Sequence, residues 1–352
     1  MIDVGLIGFG LAGRAFHTPV IRAVPGLRLA AILQRSSSEA AEHYPDVRIV
    51  RSLDELLSIE SLRLTVVATP NDTHYSFAKQ CLAAGRDVVV DKPFATTLAE
   101  ATELVSFAQR SGRLLTVYQN RRFDGDFQAI IQLVSSGTLG RIVRFETSYD
   151  RFRSQLRPGA WREKRGPGTG ILFDLGPHLI DHAFVLLGLP EAITADVRME
   201  REDAVTDDAF DILFRYPGGT RAVLCSTMLA ASPRPRFVIH ATRGSYCKHS
   251  FDPQEANLRR GHIPQDQAWG AEPEENWGVL TLHDGTNITE RRIPSGMGDY
   301  RDFYANVRDA ILGKAALAVT PQHALHVMRA LELSRKSSEQ GRTISWAEAA
   351  AL

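Results

Sequence analysis

The first 120 residues consist of short, continuously apolar runs that alternate with helical stretches. Strands that are apolar on both faces and separated by helices form a parallel sheet covered on both sides. With right-handed crossovers such a sheet is doubly wound, and ligands bind at the carboxyl ends of its strands. The runs that predict strands are residues 4–7, 27–33, 47–50, 64–68, 88–90 and 114–118.

A glycine-rich turn follows the first predicted strand and opens a helix. Gly8, Gly10 and Gly13 have the spacing GxGxxG, and Leu11 follows the second glycine. In this context the glycines let a pyrophosphate approach backbone N–H groups at a helix N-terminus. The pattern predicts a Rossmann domain that binds a dinucleotide. The alternative is a glycine turn with a structural role only.

The residues after the second predicted strand bear on which dinucleotide is bound. An NAD site usually has Asp or Glu there, on the ribose 2′-hydroxyl, and residues 34–37 contain neither. Arg35 and Ser36 suit a 2′-phosphate instead, because a guanidinium binds phosphate through two hydrogen bonds. We expect a preference for NADP(H), with NAD(H) as the alternative. A solvated Arg35 without a ligand is the other interpretation.

The second half of the chain has longer strands in which apolar and polar residues alternate, as in residues 208–216. This alternation is typical of antiparallel sheets. We therefore expect an α/β protein with a doubly wound Rossmann domain, residues 1–122, and a substrate-binding and oligomerisation domain, residues 123–352. The second domain is expected to be α+β, with a large, mainly antiparallel open sheet. Further segments of this kind are residues 142–149, 221–228, 237–242 and 279–283.

The amino-acid composition limits which classes of binding partner the protein can have. The chain has 41 Lys plus Arg against 41 Asp plus Glu, so its net charge is zero, which argues against nucleic acid or an anionic membrane as a partner. Its three cysteines are far apart, and no apolar run approaches the ~18 residues of a membrane span. The start of the chain has the pattern of a first strand and not of a signal peptide. We expect a cytoplasmic location.

The sequence contains three further motifs besides the glycine turn. Residues 68–74 read Ala-Thr-Pro-Asn-Asp-Thr-His, residues 91–93 read Asp-Lys-Pro, and residues 168–181 contain a D-x-x-x-H motif. Together with the glycines, they resemble the Gfo/Idh/MocA family of oxidoreductases over nearly the whole chain. The family's usual Glu-Lys-Pro is Asp-Lys-Pro here. Local similarity to a bacterial branch with NADP-dependent scyllo-inositol dehydrogenases occurs at residues 120–124, 150–153 and 161–162.

The resemblance implies a catalytic set of Lys92, Asp174 and His178. When a secondary alcohol is oxidised, hydride leaves for nicotinamide and the hydroxyl loses a proton, so a base is needed; His178 suits this role. Lys92 can stabilise alkoxide character, and Asp174 can orient His178 or bind a substrate hydroxyl. We place Pro177 at the start of a helix, where the helix dipole favours a neutral His178. A solvated Lys92, a structural His178 and a capping Asp174 are the alternatives.

Other binding residues follow from position and from the resemblance. His74 either contacts the cofactor or caps a helix. His178 and His182 are four residues apart, but no metal is expected because the family works without one. The candidate substrate residues are Tyr118, Asn120, Arg122, Arg153, Trp161 and Arg162, with Asp174 and His178. The candidate cofactor residues are Gly8, Gly10, Leu11, Gly13, Arg35, Ser36, Thr69, Pro70, Asn71, His74, Asp91 and Lys92.

These residues lead to one expected function and two alternatives. We expect an NAD(P)-dependent oxidoreductase that interconverts a secondary alcohol and a ketone on a cyclic polyol or sugar. An NAD-dependent glycoside hydrolase of the same fold is one alternative. A non-catalytic regulator that binds a sugar or nucleotide is the other. The free face of the C-terminal sheet is expected to form a homodimer or homotetramer.

Overall fold

The computed structural model describes residues 1–157, 159–264 and 269–351. The first of its two sheets is parallel throughout. Its strands are β1 (Ile2–Ile7), β2 (Leu27–Leu33), β3 (Arg48–Val50), β4 (Leu62–Val67), β5 (Asp87–Val90) and β6 (Leu115–Val117). They lie in the order β3-β2-β1-β4-β5-β6, so the predicted doubly wound sheet is confirmed.

Helices connect these strands. The chain leaves β1 through a π-helical turn (Ala12–His17) that continues into α1. The longest of the connecting helices begins with a capping box between Thr97 and Glu100 and ends at Gly112, whose φ is +62°. The helices are α1 (Thr18–Arg22), α2 (Glu39–His43), α3 (Leu53–Leu57), α4 (His74–Ala83) and α5 (Leu98–Ser111).

The second sheet has nine strands. These are β7 (Ile142–Ser148), β8 (Ala192–Arg198), β9 (Ala209–Arg215), β10 (Arg221–Thr227), β11 (Phe237–Ala241), β12 (Gly244–Lys248), β13 (Gly278–His283), β14 (Ile288–Ile293) and β15 (Ile344–Ser345). Their order is β14-β13-β12-β11-β7-β10-β9-β8-β15. Among the described strands of this sheet, only β7 and β10 pair in parallel, so the predicted mainly antiparallel sheet is confirmed.

The remaining helices are α6 (Gly125–Ser135), α7 (Ile171–Leu187), α8 (Gln254–Arg259), α9 (Arg301–Ile311) and α10 (Pro321–Gln340). The predicted start of a helix at Pro177 is wrong, because α7 begins at Ile171 and Pro177 lies inside it. Asp207 makes the earlier start favourable, since its carboxylate accepts the Leu172 N–H at 2.7 Å. His178 therefore lies beyond the first turn, where the helix dipole has little influence on a side chain.

The chain divides into two compact units. The first comprises Met1–Phe123, Pro253–Trp269 and Asp299–His326, and the second contains the rest. The predicted division into residues 1–122 and 123–352 did not foresee the two later segments. The segment Asp299–His326 belongs to the first unit because Tyr300, just before α9, and Phe303 and Tyr304, within it, are buried in the same apolar core as β1 and β2.

We predict that Asp207→Ala lowers the free energy of unfolding by about 1–2 kcal/mol, because an N-terminal N–H of α7 loses its acceptor. Asp207→Asn keeps an acceptor oxygen and is expected to lose less. Urea unfolding followed by circular dichroism measures both, with Glu202→Ala as the control on the exposed loop beside it. An Asp207→Ala variant as stable as the Glu202→Ala control would contradict the capping role.

Candidate active site

The glycine turn lies at the carboxyl edge of the parallel sheet. Gly8 has a φ of +96° and donates its N–H to the carbonyl of Leu33 at 3.1 Å. A Cβ at Gly13 would lie 2.1 Å from the Gly8 carbonyl oxygen, so close packing requires this glycine. A Cβ at Gly10, in contrast, would meet no atom within 4 Å. The turn thus leaves open space beside Gly10 where a pyrophosphate can reach the backbone, and its residues fit a dinucleotide.

The loop from β2 to α2 is held by an arginine that the sequence analysis missed. Arg51 Nη1 donates to the carbonyls of Gln34 and Ser37, at 2.6 and 2.7 Å. Arg35 and Ser36 lie exposed between these two residues. Arg51 directly follows β3, which neighbours β2, so its position at the same sheet edge could have been predicted. Arg35 lies on this loop and the Arg51 guanidinium hydrogen-bonds its backbone on both sides of Arg35.

Two further loops with predicted cofactor residues leave the sheet at β4 and β5. After β4, Thr69 and Pro70 precede a short 3-10 turn that begins at Asn71, whose side chain is buried. After β5, Asp91 accepts the backbone N–H of Lys92 at 2.8 Å. Because β1, β4 and β5 are parallel neighbours, the glycine turn and these two loops share one edge of the sheet.

His74 joins the two loops. Its ring is fully buried, with Nδ1 2.8 Å from the carbonyl oxygen of Pro93 and Nε2 2.9 Å from that of Thr69. A carbonyl oxygen only accepts, so both bonds form only when the ring carries two protons. Burial outweighs the Asp91 carboxylate and the two carbonyls, so the pKa of His74 is lowered and the neutral ring donates to only one of the two carbonyls. The His74 ring therefore lies between the two loops and hydrogen-bonds the backbone of one of them.

The candidate substrate residues of the first unit lie just beyond β6. Tyr118 is buried, and its hydroxyl donates to the Phe16 carbonyl at 3.0 Å. Asn120 opens a 3-10 turn, and Arg122 donates to the carbonyl of Ala318 at 2.6 Å. The two hydrogen bonds fix the side chains of Tyr118 and Arg122 near the carboxyl edge of the sheet.

The candidate catalytic residues of the second unit lie on α7. Asp174 is in the first turn of this helix, and His178 follows one turn later with a side chain that is 5% exposed. Arg162 lies 3.4 Å from the Asp174 carboxylate and stacks on Trp161, with the guanidinium carbon 4.4 Å from the ring centroid. The structure thus brings Asp174 and two candidate substrate residues together. Arg153 donates its backbone N–H to Met228 at 2.7 Å.

His182 turns into the core of the second unit. Its ring is fully buried, 4.1 Å from the Phe127 ring centroid and 5.4 Å from that of Phe237. Within residues 1–157, 159–264 and 269–351, no three His, Cys, Asp or Glu side chains are grouped to hold a metal ion. Over the same described ranges, every helix is too short or too polar to cross a bilayer.

Two family models match the chain. Residues 2–119 match the oxidoreductase family with an NAD-binding Rossmann fold, Gfo/Idh/MocA. Residues 127–247 match a C-terminal domain of the same family. The two matches cover more than half of the chain and correspond to its parallel and its mainly antiparallel sheet.

Individual relatives agree with the family models. The uncharacterized oxidoreductase YdgJ of Escherichia coli is 41% identical over 97% of this chain and 98% of its own. The scyllo-inositol 2-dehydrogenase (NADP(+)) IolW of Bacillus subtilis is 37% identical over 97% of this chain and 95% of its own. The solved structure of yvaA from Bacillus subtilis superposes with a TM-score of 0.95 at 37% identity, covering 98% of each chain. This chain therefore belongs to the Gfo/Idh/MocA family of oxidoreductases.

Proposed function

We propose that this oxidoreductase interconverts a secondary alcohol and a ketone on a cyclic polyol or sugar, with NADP(H) as its preferred cofactor. The observation that carries the proposal is the grouping of the glycine turn, Asn71 and Lys92 at the carboxyl ends of neighbouring parallel strands. The bound nicotinamide would supply hydride transfer. The similarity to IolW, a scyllo-inositol 2-dehydrogenase (NADP(+)), supports a polyol as the first substrate to test.

In this proposal the protein's own residues bind the cofactor and move the proton. Gly8, Gly10, Leu11 and Gly13 hold the pyrophosphate, Arg35 and Ser36 the 2′-phosphate, and Thr69, Pro70 and Asn71 the nicotinamide ribose. Lys92 hydrogen-bonds the reacting oxygen, His178 takes the hydroxyl proton, and Asp174 orients His178 or binds a neighbouring hydroxyl. His74 and Asp91 hold the loops. The substrate ring contacts are Tyr118, Asn120, Arg122, Arg153, Trp161 and Arg162.

We expect Lys92→Ala and His178→Ala each to lower kcat for scyllo-inositol oxidation by ~10²-fold or more, because each removes a group that acts on the transferred proton or the oxygen. NADPH formation followed by absorbance measures this, first with scyllo-inositol and then with other inositols and aldoses. Lys314→Ala and His240→Ala, both at exposed positions, are matched controls. Unchanged turnover in both active-site variants would reject the chemistry.

We expect the wild-type enzyme to have a higher kcat/KM with NADPH than with NADH. Arg35→Ala and Arg51→Ala should each reduce NADPH affinity by at least about tenfold, since a dianionic phosphate loses a guanidinium, and should leave NADH affinity nearly unchanged. Quenching of protein fluorescence measures both affinities. Arg48→Ala, on the exposed side of β3, is the control. A wild-type preference for NADH would contradict the proposal.

The proposed assembly is a homodimer or homotetramer through the open face of the nine-stranded sheet. On that face, Leu213, Val223, Val238, Cys247 and Val279 are half-buried and in register across the sheet, with Glu146 of β7 between Val223 and Val238. Apolar side chains grouped on one open face of a sheet favour association. Three free thiols, on Cys81, Cys225 and Cys247, support the proposed cytoplasmic location.

We expect Val223→Glu to convert the oligomer to a monomer in light scattering, because two carboxylates would be buried without partners. Val205→Glu is the matched control, since Val205 is exposed in the segment between β8 and β9, outside the sheet. A wild-type protein that is already monomeric would refute the interface.

A further inference from the structure

A buried histidine that the proposed reaction does not use lies beneath the Lys92 loop. His17 is fully buried, and its Nδ1 is 2.5 Å from the Tyr304 hydroxyl. On its other side, Nε2 is 3.8 Å from Asp91 Oδ2. The Tyr118 ring covers it, with the two ring centroids 4.3 Å apart. Tyr304, His17 and Asp91 therefore form a polar chain inside the first unit.

Local backbone geometry places His17 in this chain. The turn Ala12–His17 is π-helical, so its residues are wound more widely than in an α-helix, and His17 is the last of them. Thr18 donates its hydroxyl to the Gly13 carbonyl at 2.6 Å, which closes the turn. Turns of this type occur often at functional sites, where they redirect a side chain.

The protonation states of Tyr304 and Asp91 set how the His17 ring is oriented between them. Burial raises the pKa of Tyr304 well above its usual value, so its hydroxyl keeps its proton and can donate to Nδ1. The imidazole proton then lies on Nε2 and faces Asp91. Burial acts to raise the pKa of Asp91, but His17, Lys92 and His74 outweigh it and keep the carboxyl ionised. Tyr304 thus donates a hydrogen bond to His17, and the Nε2 side of the ring faces the Asp91 carboxylate across 3.8 Å, which is an electrostatic contact and not a hydrogen bond.

The Asp91 carboxylate connects this chain to the backbone of Lys92. Oδ2 faces the His17 ring, while Oδ1 accepts the Lys92 N–H at 2.8 Å. Rotation of the carboxylate would break both contacts at once. Because Asp is one carbon shorter than Glu, its carboxylate stays close to the backbone and has little freedom to compensate.

We propose that His17 and Tyr304 are positioning residues that fix the Asp91 carboxylate and, through it, the start of the Lys92 side chain. The inference rests on the proposed function in so far as Lys92 is the group that needs a fixed position. A merely space-filling role for His17 would stabilise the fold without any selective effect on Lys92.

Lysine labelling tests the proposal without turnover. The chain has only six lysines, so the rate at which an N-hydroxysuccinimide ester acylates each one can be followed by mass spectrometry. We expect His17→Leu and Tyr304→Phe to raise the labelling rate of Lys92 at least about threefold, because its base becomes mobile. Exposed Lys314 is the internal reference and should not change.

His17→Gln is the rescue variant, since its amide can accept from Tyr304 and donate to Asp91; Lys92 labelling should return close to the wild-type rate. His240→Leu is the control at an exposed histidine. Tyr304→Phe removes one oxygen atom and keeps the test valid if His17→Leu fails to fold. An unchanged Lys92 rate in the folded variants, or an equal rise at all six lysines, would overturn the proposal. Failure of the proposed reaction would instead appear as undiminished turnover in Lys92→Ala.

Discussion

The hydrogen bonds of the parallel sheet decide where every candidate cofactor residue lies. Strands β1, β4 and β5 run side by side in one direction, so the turns that follow them end at the same edge. The glycine turn, Asn71 and Lys92 are far apart in sequence and meet there only because the strands are in register. Every residue of β1 is buried, which excludes water from the hydrogen bonds of the sheet and makes its edge rigid.

Buried ionisable groups position the loops that follow β4 and β5. His74 lies between the loop after β4 and the loop after β5, and Asp91 accepts the backbone N–H of its neighbour Lys92. Such groups are costly to bury without partners, and here each of the two hydrogen-bonds the backbone of these loops. This arrangement gives the loops precision that apolar packing alone does not provide.

The sequence predicted those features whose determinants lie close together in the chain. The six parallel strands and the glycine turn follow from apolar runs and spacing that span few residues. The start of α7 could not be predicted, because its stabilising acceptor is Asp207, which comes from a different part of the chain. The role of His17 was equally hidden, since Tyr304 lies 287 residues away in sequence. Arg51 is an intermediate case, because its place after β3 was visible but its two carbonyl partners were not.

The return of residues Asp299–His326 to the first unit has a consequence for how the protein is made. Tyr300, Phe303 and Tyr304 complete the core of a unit whose glycine turn is synthesised long before them. The nascent parallel sheet must therefore wait, with part of its core exposed, until these residues have left the ribosome. The dinucleotide fold can close only after the whole nine-stranded sheet up to β14 has been translated, which links cofactor binding to synthesis of the second unit.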